Sequence, residues 1–172
     1  MPTTIAQTST YNVETSLNAW LRTQLTAVTR PAWFPALPGI ITDTPEKAPS
    51  LPAFSIFHIP VDSRGDWQGR IVSSAGGKGL WNRGIMEVDA WVTRANKNWL
   101  AQLRTMEDMV MTVLANTTEV AISDYAANQS SPSTTSYLVR LRDTRAVATA
   151  PDPNPDIERR RMLVTYEWVY RS

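Results

Sequence analysis

The hydrophobic and polar positions fall into two different periods, back to back, between Gly84 and Asn116. From Ile85 to Thr93 the side chains alternate, with Met86, Val88, Ala90 and Val92 on one side and Ile85, Glu87, Asp89, Trp91 and Thr93 on the other. A period of two predicts a half-buried strand. The period then lengthens, and Trp99, Leu103, Met106, Val110 and Val113 recur every three or four residues, as the buried stripe of an amphipathic helix does. Asn96 or Asn98 is placed to cap its start, because a short polar side chain accepts a hydrogen bond from a free first-turn amide. Burying the five stripe residues contributes roughly 1.5–3 kcal/mol each before entropy is counted. That is enough to account for the stripe without a ligand.

The same patterns recur along the chain. A helix is predicted over Asn12–Val28, with Val13, Leu17, Trp20, Leu21, Leu25 and Val28 on one stripe and Pro31 as its stop. Six prolines from Pro31 to Pro52 imply an extended connector, in which Leu37–Thr42 reads as an edge strand. Leu51–Pro60 carries apolar residues on both faces and predicts a strand covered on both sides. Residues 62–83 read as a long charged loop with a short strand at Ile71 and Val72. Glu119–Ser123, Tyr137–Arg142 and Arg160–Arg171 read as further strands, and the loop at 146–159 is proline-rich. The fold class expected is α+β: a mostly antiparallel sheet of four or more strands packed against two helices, with long loops. Residues 1–11 are expected to form a flexible arm and 12–172 one domain, which suits a chain of 172 residues.

Composition narrows the function classes. Seventeen basic and sixteen acidic residues leave the chain almost neutral, unlike a dedicated nucleic-acid binder. No cysteine is present, so disulfides, thiolate catalysis and zinc–thiolate sites are excluded, and a reducing compartment fits. No secretory leader or membrane span is expected.

Candidate chemistry is sparse. His58 is the only histidine and lies in an apolar strand; it reads as a structural residue, with Asp62 and Asp66 as the carboxylates that a small hydrolase or a metal site would recruit. The run from Ala75 to Gly79 is glycine-rich, but Val72 stands where a phosphate loop needs its first glycine and Gly79 where it needs a hydroxyl. Glu87 and Asp89 share a strand face, which is expected to be solvated or to face another subunit rather than to perform acid–base work. Arg159, Arg160 and Arg161 form a short basic cluster beside Asp156 and Glu158, which reads as a polar strand entry or as a contact to nucleic acid or a partner. Of seven tryptophans, Trp33, Trp67 and Trp81 fall in segments expected to be irregular, where aromatic residues anchor interfaces or pack as satellite core. No catalytic, cofactor-binding or metal-binding residues are assigned.

The order of these segments resembles the tail terminator (tail completion) proteins of long-tailed bacteriophages. The resemblance rests on the helix at Leu17–Leu25, the strand Leu51-Pro52-Ala53-Phe54-Ser55-Ile56-Phe57, the charged stretch Asp62–Arg83, the acidic strand Glu87–Val92 leading into Trp99–Leu114, and the aromatic-ended strand Leu163–Trp168. It implies a non-enzymatic structural protein of the virion tail or neck, assembled in the bacterial cytoplasm without cofactor or membrane. The implied partners are further copies of itself in a hexameric ring, the tail tube protein and a head-side connector or stopper protein, with genomic DNA passing through the lumen. The residues expected to meet those partners are Arg64, Trp67, Arg70, Lys78, Trp81, Arg83, Glu87, Asp89, Arg159 and Arg160. The Pro31–Pro52 and Ala146–Asp156 stretches are longer than so small a protein needs, which leaves another neck component, such as a head-completion protein, as the alternative.

Overall fold

The computed structural model describes residues 8–28, 31–34, 40–41, 51–59, 70–74, 77–147 and 155–170, and the side chains at 40–41, 70–74, 77–81 and 169–170 fall outside that description. Among the described residues nine elements follow in chain order: α1 (Thr10–Ala27), β1 (Ile40–Ile41), β2 (Ala53–Ile59), β3 (Arg70–Ser74), β4 (Gly77–Thr93), α2 (Trp99–Ala115), β5 (Glu119–Ser123), β6 (Thr134–Val147) and β7 (Ile157–Tyr170). The strands form one sheet whose body runs β2-β4-β7-β6-β5, antiparallel throughout. Two residues of β1 join its edge in parallel to β2, and β3 pairs with the start of β4. The α+β class expected from the two periodicities is the one observed.

The longest pairing joins β4 to β7, from Leu80↔Tyr170 to Thr93↔Ile157. Residues directly opposite share a face, so the alternation along each strand sorts the whole sheet. The even-numbered positions from Gly84 to Val92 on β4 and from Met162 to Trp168 on β7 are buried on the side of the helices. Both helices lie on that side: α1 against β5, and α2 against β4, β7 and β6. Each presents the stripe its spacing predicts, Val13, Leu17, Leu21 and Leu25 from α1, and Leu103, Met106, Val110 and Val113 from α2.

Polar side chains fix the helices in place. Ser9 caps α1, its Oγ accepting from the Asn12 amide at 3.3 Å. Asn12, fully buried, donates from Nδ2 to Asp124 Oδ1 and accepts from the Ala126 amide, both at 2.9 Å. Ser16 Oγ accepts from the Ser123 amide at 2.9 Å. Helix α1 is thus bonded to the exit of β5, more than 100 residues away in sequence, through groups that burial would otherwise leave unsatisfied. At α2, Asn98 occupies the capping position without a side-chain capping bond, while Asn96 Oδ1 accepts from the Asn98 amide at 2.9 Å.

Several boundaries differ from the sequence expectation. Residues 10 and 11 belong to α1 rather than to an arm. Much of the loop expected at 62–83 is the β3–β4 hairpin, and β4 begins at Gly77, eight residues before its hydrophobic alternation becomes visible. Pairing with β3 and β7 supplies the ladder there, so a glycine-rich stretch is extended without a pattern of its own. Likewise β6 extends through Val147 and β7 starts at Ile157, which takes both ends off the loop expected at 146–159. Among the described residues no helix is long and apolar enough to cross a membrane.

Candidate partner interface

With both helices on one face, the odd-numbered positions of β4 and β7 lie on the other, and register brings their charges together. Asp89 sits opposite Ser55 on β2 and Arg161 on β7, and Trp91 sits opposite Ala53 and Arg159. Glu87, two residues before Asp89, shares the face. Arg161 Nη2 reaches Glu87 Oε1 at 2.7 Å, and its Nε reaches Asp89 Oδ1 at 3.4 Å. Arg159 Nη1 lies 3.4 Å from Asp89 Oδ2, and its guanidinium stands 5.1 Å over the Trp91 ring. Trp91 Nε1 donates to Ser55 Oγ at 2.7 Å.

These carboxylates are not on a solvated wall. Asp89 is 0% exposed and Glu87 7%, so the expectation of a solvated face fails for both. Alternation identifies a shared face, whereas burial depends on what lies beside it, and here two arginines from a strand 70 residues away do so. Burial raises the pKa of both carboxyls above the ordinary range. The Asp89 charge raises Glu87 further, whereas Arg161 and Arg159 act against the rise at both. Glu87 is therefore the member that holds a proton more readily, and its carboxyl is placed to donate to Asp89.

The remaining expected residues are dispersed. Arg160 projects to the other side and bonds Glu107 of α2 at 2.8 Å, so consecutive arginines serve opposite faces. Arg83, half-buried, lies opposite Glu167 in the β4–β7 register. The backbones of Arg70, Lys78 and Trp81 belong to β3 and β4, with their side chains outside the described residues. Arg64, Trp67, Asp62 and Asp66 lie wholly outside them. The rows of opposite charge extend outward through Arg142–Glu167 at 2.7 Å and Arg140–Glu119 at 3.0 Å. Arg161, Ser55 and Trp91 were not among the expected site residues; the signal for them was the common phase of Arg159 and Arg161, which becomes informative only once β7 is known to lie beside β4.

Chemically, this face balances most of its charge, with Arg159 and Arg161 against the Asp89 carboxylate and the Glu87 carboxyl at its centre and further ion pairs around it. It provides a face of low net charge. His58 has both ring nitrogens engaged, Nε2 with Asn18 Oδ1 at 2.9 Å and Nδ1 with Tyr166 Oη at 3.2 Å, which supports its structural reading. Among the described residues no group of three or more metal-ligating side chains converges. No protein-family model matches the sequence, and no curated protein matches it significantly.

Two substitutions separate the roles of the carboxyls. In Glu87→Gln the amide can accept from Arg161 and donate to Asp89, as a protonated glutamate does. That protein is expected to fold and to lose no more than about 1 kcal/mol. Asp89→Ala removes the anion shared by two guanidiniums and is expected to cost about 3 kcal/mol, the low end of what breaking a buried pair costs because Arg159 and Arg161 keep 20% and 28% exposure. Urea denaturation of the two variants checks the order; a larger loss for Glu87→Gln would mean that the two carboxyls have been assigned the wrong way round.

Proposed function

We propose that this chain is a structural virion protein that closes into a ring on the end of a bacteriophage tail tube, stops tube growth and presents the tail to the head-side connector. The observation that carries the reading is the order of elements. The helix α1, the apolar strand β2, the long strand β4 with Glu87 and Asp89 feeding α2, and the strand β7 with its aromatic Tyr166 and Trp168 follow one another as the resemblance implies. The charge pattern supports it too. A ring built from copies of one chain needs contacts that close on themselves, and a lumen that lets DNA pass must not grip it. A near-neutral chain whose described charges are largely matched in pairs meets the second condition, since sequence-independent DNA affinity scales with the phosphates neutralised.

The test is functional. Tail tube protein assembling alone is expected to give tubes of uncontrolled length, and adding this protein is expected to halt growth with density capping one tube end in electron micrographs. Tubes that lengthen unchanged and uncapped would contradict the reading. Uncapped tubes combined with binding to the head-side connector would move the assignment to another neck component.

A further inference from the structure

We propose that the free edge of β5 pairs through its backbone with the β2 edge of a second copy of this chain, so that the sheet runs on from one subunit into the next; this rests on the ring reading above and names the contact that closes the ring. Strands β5 and β2 bound the five-strand body of the sheet. The even positions around β5 turn their backbone toward β6: the Thr118 carbonyl accepts from the Leu141 amide and the Asp124 amide donates to the Ser133 carbonyl, both at 2.9 Å. Backbone groups alternate sides along a strand, so Glu119, Ala121 and Ser123 turn theirs outward. Ser123 is already answered. Its amide donates to Ser16 Oγ of α1 at 2.9 Å, and that hydroxyl reaches back to the Ser123 carbonyl at 3.5 Å. Among the described residues no strand lies beyond Glu119 and Ala121, and both are exposed. Outward amides and carbonyls on such an edge are a template for another strand.

The side chains point to the occupant. Five large hydrophobic side chains are exposed among the described residues, and four of them flank these two edges. At the β5 edge, Leu138 stands opposite Ala121 on the face away from the helices, and Tyr11 of α1 is bonded to Gln129 just past the strand. At the β2 edge, Ile59 lies on the face away from the helices, and Trp33 stands against Phe34, which packs on Phe54. Strand β1 covers β2 only at Phe54 and Ser55, which leaves Ile56–Ile59 as the edge among the described residues. A copy that continues the sheet sets Phe57 and Ile59 beside the small Ala121 and the exposed Leu138, where their apolar surface is covered. Four antiparallel steps separate β2 from β5, so both run in the same direction, and a copy added by rotation meets β5 in parallel. The two edges differ, so the contact is head-to-tail, the kind that repeats until a ring closes.

The chain has no cysteine, so introduced thiols report the contact without background. Within one chain Ala121 and Ile59 lie four strands apart, about 19 Å and beyond a short bismaleimide. A chain carrying both Ala121→Cys and Ile59→Cys is expected to cross-link into a ladder of sizes that ends at the ring, and either substitution alone into nothing larger than the single chain. Ala121→Pro removes the outward amide without breaking a bond to β6, and proline is tolerated on an edge strand for that reason. That protein is expected to keep the wild-type circular dichroism and to need about tenfold more protein, or greater, to form rings. Four results would each overturn the edge pairing: an assembled double-cysteine ring that gives no ladder, a dimer from Ala121→Cys alone, a link from Ala121→Cys to tail tube protein instead, or folded Ala121→Pro that assembles at wild-type concentrations. The ring reading survives all four. It falls, and the edge pairing with it, if the wild-type chain stays monomeric when tube ends are supplied.

Discussion

A Val110→Asp protein is expected not to fold. Val110 is fully buried in the middle of the α2 stripe, with Met106 and Val113 one turn to either side and the β4–β7 pair beneath. The substitution removes an apolar side chain that contributes roughly 1.5–3 kcal/mol. It also puts a carboxyl where the described neighbours are apolar and no basic group is paired with it, which costs several kcal/mol more even if the carboxyl stays protonated. The sum rivals the whole 5–15 kcal/mol by which a domain of this kind is stable. Ala101→Asp serves as the control. It lies on the exposed side of the same helix, in the first turn, where a negative charge suits the helix dipole, and a change within about 0.5 kcal/mol is expected. Circular dichroism and the yield of soluble protein compare the two. A cooperative melt from Val110→Asp would mean that α2 does not pack by the stripe described.

The second large effect is expected from the smallest change, Gly84→Ala. Gly84 is buried on β4 directly opposite Tyr166 of β7, and a Cβ built there falls inside the contact radius of the Tyr166 ring and hydroxyl. The ring has little room to withdraw. Its hydroxyl bonds His58 Nδ1 at 3.2 Å, and its face stacks on Trp168 with centroids 5.5 Å apart. Either the β4–β7 backbones separate or Tyr166 leaves its place and gives up its bond to His58. Overpacking of this kind costs about 3 kcal/mol, which in a domain of this size lowers the melting temperature by roughly 10 °C. Thermal denaturation measures it directly, and an unchanged melting temperature would contradict the packing of Tyr166 on the strand backbone.

Much of this arrangement can be read in the chain before any contact is known. The stripes of α1 and α2, the alternation of Glu119–Ser123 and of Met162–Trp168, and the two-sided apolar strand Ala53–Ile59 are local patterns, and the elements formed there follow them. What local pattern does not carry is partnership. Gly77–Gly84 has no alternation of its own and becomes strand because β3 and β7 lie beside it. The alternation puts Glu87 and Asp89 on a face that reads as solvated or turned to another subunit, and within the chain they are buried because Arg159 and Arg161 arrive from the far end of the chain at the right register. The same holds for Gly84, which is constrained by Tyr166, 82 residues away in the same ladder. Site residues chosen by expected exposure therefore divide between faces: Arg160 serves the helix side, while Arg161, which was not among them, holds both carboxyls.

The central claim is that copies of this chain close into a ring, and the mass of the purified protein tests it most directly. Native mass spectrometry, with negative-stain images of the same sample, is expected to show one closed species whose mass is an integral multiple, six by the resemblance, of the 19.2 kDa chain. A 19.2 kDa monomer at every concentration, and still a monomer when tail tube ends are supplied, would contradict it.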